Sequence, residues 1–267
     1  MIFDKVVRPD DGAAWITGAS GGIGRATALR LCRDGWVVHA TARSLADLES
    51  LQQDAQGPGR IVPAPGDVTD PEAMARIVAG IVEEQPLALA ILNAGIYTPM
   101  RAEDFSARTA RAMFDVNLGG VANGLEPVLA HMIARRGGHI AITASVAGYR
   151  GLPDAAAYSA TKAGLIAMAE ALAMDLVDLG VRISVINPGF VETKATSVNA
   201  FPMPFLMTPD EAARRIVDGL KRPGFEIAFP RRFALLLRII GALPNRAYIA
   251  AVRRMTGWKD RADRPPS

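Results

Sequence analysis

Short runs of apolar and β-branched residues alternate along this chain with longer segments of helical periodicity. The short runs are Ala13–Thr17, Val37–Thr41, Arg60–Ala64, Ala88–Leu92, His139–Thr143, Val181–Asn187 and Phe225–Phe229. They carry few charges, as strands buried on both faces do. The longer segments are Gly22–Asp34, Leu45–Asp54, Pro71–Glu84, Ala107–Arg135, Ala155–Leu179 and Pro209–Arg222, whose patterns read as amphipathic helices. Seven strands with six intervening helices predict an α/β fold. The expected architecture is a single doubly wound Rossmann-type domain, with a seven-stranded parallel sheet covered by helices on both faces. Local signals set several boundaries. Asp70-Pro71 supplies an N-cap before proline at the first helical position. Gly180 offers a left-handed stop after Leu179, and Pro127 predicts a kink inside the Ala107–Arg135 helix.

The alternation ends near residue 230, so residues 1–230 are expected to form the main domain and 231–267 a basic, apolar helical extension. In its first helix Phe233, Leu236, Leu237 and Ile240 share one face, Arg231 and Arg238 lie opposite, and Leu235 and Ile239 widen the stripe. Three readings fit: a helix packed on the body or across the mouth of a site, an interfacial helix on an anionic membrane surface, or a subunit contact. Residues 189–208 contain Phe190, Val191, Phe201, Met203, Phe205, Leu206 and Met207 with little charge. This stretch reads as a mobile loop over an apolar ligand.

Composition narrows the class. Half of the 267 residues are apolar and 21% are charged, which suits a globular chain with a large core. Cys32 is the single cysteine, so disulfides within the chain and cysteine-rich metal sites are excluded, and no metal is expected. Met1–Gly12 holds three acids and two bases and is not a secretory signal; no run suits a membrane-spanning helix. A cytoplasmic protein is expected, peripheral at the membrane if the extension docks there. The net charge of +3 is uneven: residues 221–267 hold 11 Lys/Arg against 3 Asp/Glu, a net of +8, which leaves −5 on the rest. The basic tail has few aromatics and no nucleic-acid motif, so no nucleic-acid partner is expected.

The first strand runs through Thr17-Gly-Ala-Ser-Gly-Gly-Ile-Gly24 into a helix. Glycines here let the backbone approach a pyrophosphate, and the helix N-terminus adds free N–H groups and a positive dipole end. The spacing Thr-Gly-x-x-x-Gly-x-Gly resembles the short-chain dehydrogenase/reductase family, in its form of about 250 residues. Further motifs follow in that family's order: Asp67-Val68, Asn93-Ala94-Gly95, Asn117 in Asp-Val-Asn-Leu, Ser145, Tyr158-Ser-Ala-Thr-Lys162, and Pro188-Gly189 with Thr193. The resemblance spans about residues 10–230 and implies an oxidoreductase acting on a carbonyl/alcohol pair with a nicotinamide dinucleotide. It assigns cofactor contacts to Gly18, Ser20, Gly22, Ile23 and Gly24 of the turn, and to Asp67, Val68, Asn93, Ala94, Gly95, Pro188, Gly189, Val191 and Thr193. It also implies a homodimer or homotetramer.

Residue chemistry supports the same reading. Tyr158 and Lys162 are four apart on a helix and share a face. A lysine ammonium beside a tyrosine favours phenolate and lowers the tyrosine pKa, giving a usable acid/base. Ser145 can donate a hydrogen bond where negative charge develops on a substrate oxygen. The resemblance adds that Lys162 holds the nicotinamide ribose and that Asn117 holds a relay water. The second strand ends in Ala42-Arg43, where members of the family that prefer NAD place an acid. Arg43 can clamp a 2′-phosphate, so NADP is expected before NAD. The alternatives are an NAD-dependent alcohol dehydrogenase and a non-catalytic nicotinamide sensor, the latter disfavoured because Ser145, Tyr158 and Lys162 are all present.

Overall fold

The computed structural model describes residues 6–194, 196, 197 and 203–257. Its strands are β1 (Ala13–Thr17), β2 (Val37–Thr41), β3 (Arg60–Pro63), β4 (Leu87–Leu92), β5 (His139–Thr143), β6 (Arg182–Pro188) and β7 (Glu226–Phe229). They pair in parallel in the order β3-β2-β1-β4-β5-β6-β7. The order reverses beside β1, between β1 and β4. A crevice opens there at the carboxyl ends of the strands, where ligands of such sheets bind. The helices are α1 (Gly22–Arg33), α2 (Leu45–Gln53), α3 (Pro71–Glu84), α4 (Ala107–Phe114), α5 (Gly120–Ala134), α6 (Ala156–Leu176), α7 (Pro209–Leu220), α8 (Arg231–Gly241) and α9 (Asn245–Met255).

Alternation along the strands splits the core into two layers. Ala14 and Ile16 of β1 face α1, α2 and α7, meeting Leu31, Leu48 and Ile216. Ala13 and Trp15 face α3, α5 and α6, meeting Met74, Val128 and Leu165. The expected caps form: Asp70 accepts from the Ala73 N–H at 2.9 Å, and Gly180 is left-handed with φ 75°.

The segment expected as one helix from Ala107 to Arg135 is instead two helices joined by a π-helical turn, Asp115–Gly119. The irregularity sits there rather than at Pro127, through which α5 runs unbroken. A π turn inserts one residue into the helical repeat and is common at functional sites; this one carries Asn117.

The extension folds back on the body. Phe233, Ala234 and Leu237 of α8 pack against Val146, Tyr149 and Phe190. Burying Phe233 and Leu237 stabilises this contact by roughly 1.5–3 kcal/mol each. Two expectations for α8 need correction. Leu236 points outward, 40% exposed, because the buried face is narrower than the apolar stripe. Arg238 turns toward the body and pairs with Glu226. No described helix is long and apolar enough to cross a membrane.

Candidate active site

Every residue expected at the site, except Asn117, lines one cleft of about 1220 Å³ at the carboxyl edge of the sheet. A single small-molecule pocket usually measures about 300–1,000 Å³, so the volume suits a dinucleotide plus a second ligand. One half of the cleft is a backbone cradle. Gly18 and Gly22 take positive φ, 71° and 54°. A Cβ on Gly18 would lie 2.8 Å from Ala94 Cα, and one on Gly24 would lie 2.1 Å from the Gly18 carbonyl oxygen. Only glycine allows this approach, and it leaves the N-terminus of α1 open to the cleft. The Thr17 hydroxyl accepts from the N–H groups of Asn93 (3.0 Å) and Ala94 (3.1 Å), while the Asn93 amide donates to the Thr17 carbonyl (3.1 Å). Asn93 thus clasps the turn to the end of β4. From above, the Thr193 methyl comes within 3.0 Å of where a Gly22 Cβ would stand. The cradle therefore fits the phosphates of a dinucleotide.

At the outer end of the cradle Arg43 is exposed, lines the cleft and directly precedes Ser44, the N-cap of α2. Arg25 faces elsewhere: it pairs at 2.6 Å with Asp54, which caps the C-terminus of α2. Asp67 turns back on its own loop, accepting from the Thr69 N–H and hydroxyl at 2.9 Å each.

The other half holds the polar trio. Ser145 follows β5, and Tyr158 and Lys162 stand on the first turns of α6. Lys162 is 3% exposed, donates to the Thr143 carbonyl at 2.8 Å, and lies 5.6 Å from the centre of the Tyr158 ring. Asn117 sits behind the cleft, fully buried. Its amide donates to the Ile96 carbonyl (3.0 Å) and the Thr161 hydroxyl (3.1 Å), and its oxygen accepts from the Ile96 N–H (2.8 Å). A Cβ on Gly95 would stand 3.3 Å from the Asn117 oxygen and 3.5 Å from the Lys162 Nζ. The bare glycine thus keeps a gap between those two groups.

The family model for short chain dehydrogenases matches residues 12–200 of this chain. The chain belongs to the short-chain dehydrogenase/reductase family. It is 41% identical to an uncharacterised oxidoreductase of Myxococcus xanthus, across 91% of this chain and 96% of that one. A 3-oxoacyl-[acyl-carrier-protein] reductase of Thermotoga maritima is 33% identical, across 76% and 87%. Among solved structures, a short-chain dehydrogenase of Burkholderia cenocepacia in complex with NADP superposes with a TM-score of 0.80 at 26% identity, across 92% of this chain and 99% of that one. The protein is thus an oxidoreductase of the class that interconverts CH–OH and C=O with NAD(P).

The electrostatics correct one expectation for this family site. Burial, and not Lys162, dominates Tyr158: it pushes the phenol above its ordinary value, and a hydrogen bond with Ser145 pulls the other way. Burial also brings Lys162 down to about 8. A dry site penalises either charge standing alone. Tyr97, Asn123, Val252 and Met255 join the site without having been expected there. Tyr97 packs edge-on to Tyr158 at 4.9 Å, and burial with the nearby Asp154 raises its pKa to about 12. Asn123 holds the Val68 carbonyl at 2.9 Å. Phe233, Leu237 and Ile240 of α8 and Val252 and Met255 of α9 line the same cleft. Tyr97 gave no signal, since a lone loop tyrosine has no spacing partner. The α8 residues were visible as an apolar stripe, with a place on the body or across the mouth of a site as one of three readings.

Proposed function

We propose that this chain is an NADP(H)-dependent oxidoreductase that moves a hydride between the nicotinamide and the carbonyl or secondary alcohol of an apolar substrate. The observation that carries the reading is the convergence of Ser145, Tyr158 and Lys162 on the cleft that also contains the glycine cradle. When bound, the nicotinamide supplies or takes the hydride. Ser145 donates a hydrogen bond to the substrate oxygen, where charge develops. Tyr158, held protonated by burial, gives its proton to that oxygen, which suits reduction. Lys162 holds the nicotinamide ribose and steadies the phenolate once it forms. Asn117 and the gap at Gly95 are where a relay water leads from Lys162 to solvent. Arg43 and the N-terminus of α2 hold the 2′-phosphate, which favours NADP over NAD; the NADP held by the Burkholderia relative agrees with this. Residues 1–230 carry this chemistry, with the loop at 189–208 over the substrate; Phe201 of that loop lies outside the described residues.

Two partners complete the proposal. The outward face of α6 carries Ala160, Ala163, Ala167, Ala171 and Met174, an exposed strip of small and apolar residues flanked by the exposed acids Glu170 and Asp175, on which a second copy packs as homodimer or homotetramer. Leu235, Leu236 and Ile239 are exposed on α8, with Arg231 and Arg232 at its first turn; this face docks on an anionic lipid surface. Co-sedimentation with phosphatidylserine vesicles, lost in high salt and in Leu235→Ser/Ile239→Ser, tests it; equal sedimentation with neutral vesicles or with none removes the lipid reading.

Parallel fluorescence titration with NADPH and NADH tests the core of the proposal. Tighter NADPH binding, together with NADPH-dependent reduction of an apolar ketone that vanishes in Tyr158→Phe, is expected. Binding of neither nucleotide would overturn it.

A further inference from the structure

We propose that the α8–α9 pair forms the substrate-side wall of the cleft and selects carbonyl compounds bearing an elongated apolar group. This rests on the reading above and adds the substrate class. The family model ends at residue 200, before this wall begins.

The wall is built from apolar side chains that line the cleft. The two helices carry six arginines and no acid, yet no arginine of theirs lines the cleft. The lining comes instead from Phe233, Leu237 and Ile240 of α8 and from Val252 and Met255 of α9. Phe233 lies between Phe190 and Phe205 of the loop after β6, with ring centres 5.8 and 6.0 Å away. α8 also packs on Val146, the residue after Ser145, so the wall begins next to the group proposed to hold the substrate oxygen. A group attached to the reacting carbon is thus led along an apolar surface away from Tyr158.

Two ties hold the wall in place, and both return to the segment between Ser145 and Tyr158. Arg150 donates to the carbonyls of Gly241 (2.5 Å) and Leu243 (2.7 Å) in the α8–α9 turn, and to the Asn245 side chain. Its guanidinium lies 4.1 Å from the centre of the Tyr248 ring, and the Tyr248 hydroxyl donates to the Gly151 carbonyl at 2.6 Å. The second tie is Glu226, which takes the Tyr149 hydroxyl (2.5 Å), the Asn187 amide (2.6 Å) and Arg238. Arg150 is therefore a positioning residue. It does not line the cleft, but it fixes the helices that do. Three carbonyl or amide oxygens converge on one guanidinium, which suits the planar fork of arginine.

The test uses a homologous series of straight-chain methyl ketones. Their binding is read from the intrinsic fluorescence of the enzyme–NADP⁺ complex, which has no hydride to give and so is not consumed by turnover. In the wild-type protein the dissociation constant is expected to fall by roughly fourfold per methylene while the chain runs along the wall. Ile240→Lys and Met255→Lys change partly exposed positions that the core does not need. They should flatten that slope, because each lysine replaces apolar contact along the path of the chain. Arg150→Met should weaken long ketones selectively, and Arg150→Lys should not rescue them. A flat wild-type series, or the same slope in the lysine variants, overturns this inference and leaves the cofactor reading standing. Failure to bind NADPH overturns the cofactor reading itself, and the wall with it.

Discussion

Lys162→Met removes a charge that the fold itself disfavours. The side chain is 3% exposed, and burial lowers its pKa from 10.5 to about 8. Near neutral pH the lysine is protonated in both folded and unfolded chains, so the folded state bears the whole penalty. At ~1.4 kcal/mol per pKa unit that amounts to about 3 kcal/mol. Methionine keeps most of the volume but strips the Thr143 carbonyl of its 2.8 Å donor, which costs roughly 1–3 kcal/mol. The variant should therefore lie between unchanged and about 2 kcal/mol more stable, against the loss of about 1 kcal/mol typical of point substitutions. The pH dependence has a definite sign. Between about pH 8 and 10.5 the unfolded lysine binds more protons than the folded one, so wild-type stability rises with pH through that window. From about pH 7 to about 9.5 the wild type should gain about 2 kcal/mol on the variant. Urea unfolding of both proteins at both pH values, without nucleotide and read by the buried Trp15 and Trp36, measures this. A variant less stable by more than about 1 kcal/mol at both pH values, with no relative drift, would refute the reasoning.

Three further outcomes follow from the site. Tyr158→Phe should lower kcat by about 10²–10⁴-fold with NADPH affinity kept; a smaller loss measured by steady-state kinetics would give the proton to another group. Arg43→Ala should weaken NADPH by about 10- to 150-fold, the equivalent of a charged hydrogen bond worth about 1.5–3 kcal/mol, and spare NADH; equal losses in the two titrations would take the 2′-phosphate away from Arg43. Gly24→Ala forces a Cβ to 2.1 Å from the Gly18 oxygen, so a loss of about 1–3 kcal/mol in stability is expected together with loss of NADPH binding. Wild-type nucleotide affinity in that variant would show that the turn is not the phosphate cradle.

The sheet was legible because each strand is short, apolar and bounded by turn residues, and every expected strand lies within a residue of its place. The cleft was legible because glycines, Tyr158 and Lys162 act through spacing that survives in one dimension. What stayed hidden depends on contacts. The π turn at Asp115–Gly119 has the periodicity of an ordinary helix, and Pro127 drew attention to the wrong turn. Burial of Tyr158 and Lys162 reverses the expectation from charge alone, since proximity can be read from spacing of four but dehydration cannot. Arg238 looked like a solvated charge until folding brought Glu226 beside it. The site role of the extension also needed the fold, because α8 reaches Ser145 only through the path of the whole sheet.

Asn117 also bears on the order in which the molecule assembles. Its one side chain joins segments 21 and 44 residues away, at Ile96 and Thr161. The glycine cradle reaches further still: Asn93 and Ala94 at the end of β4 hold Thr17 across 76 and 77 residues. Local contacts close earlier and at lower entropic cost than distant ones. A nascent chain should thus complete both the nucleotide turn and the proton-transfer apparatus late, when β1, β4, the π turn and α6 are brought together. A partly folded molecule would then be unable to react, so chemistry is reserved for chains that have completed their sheet.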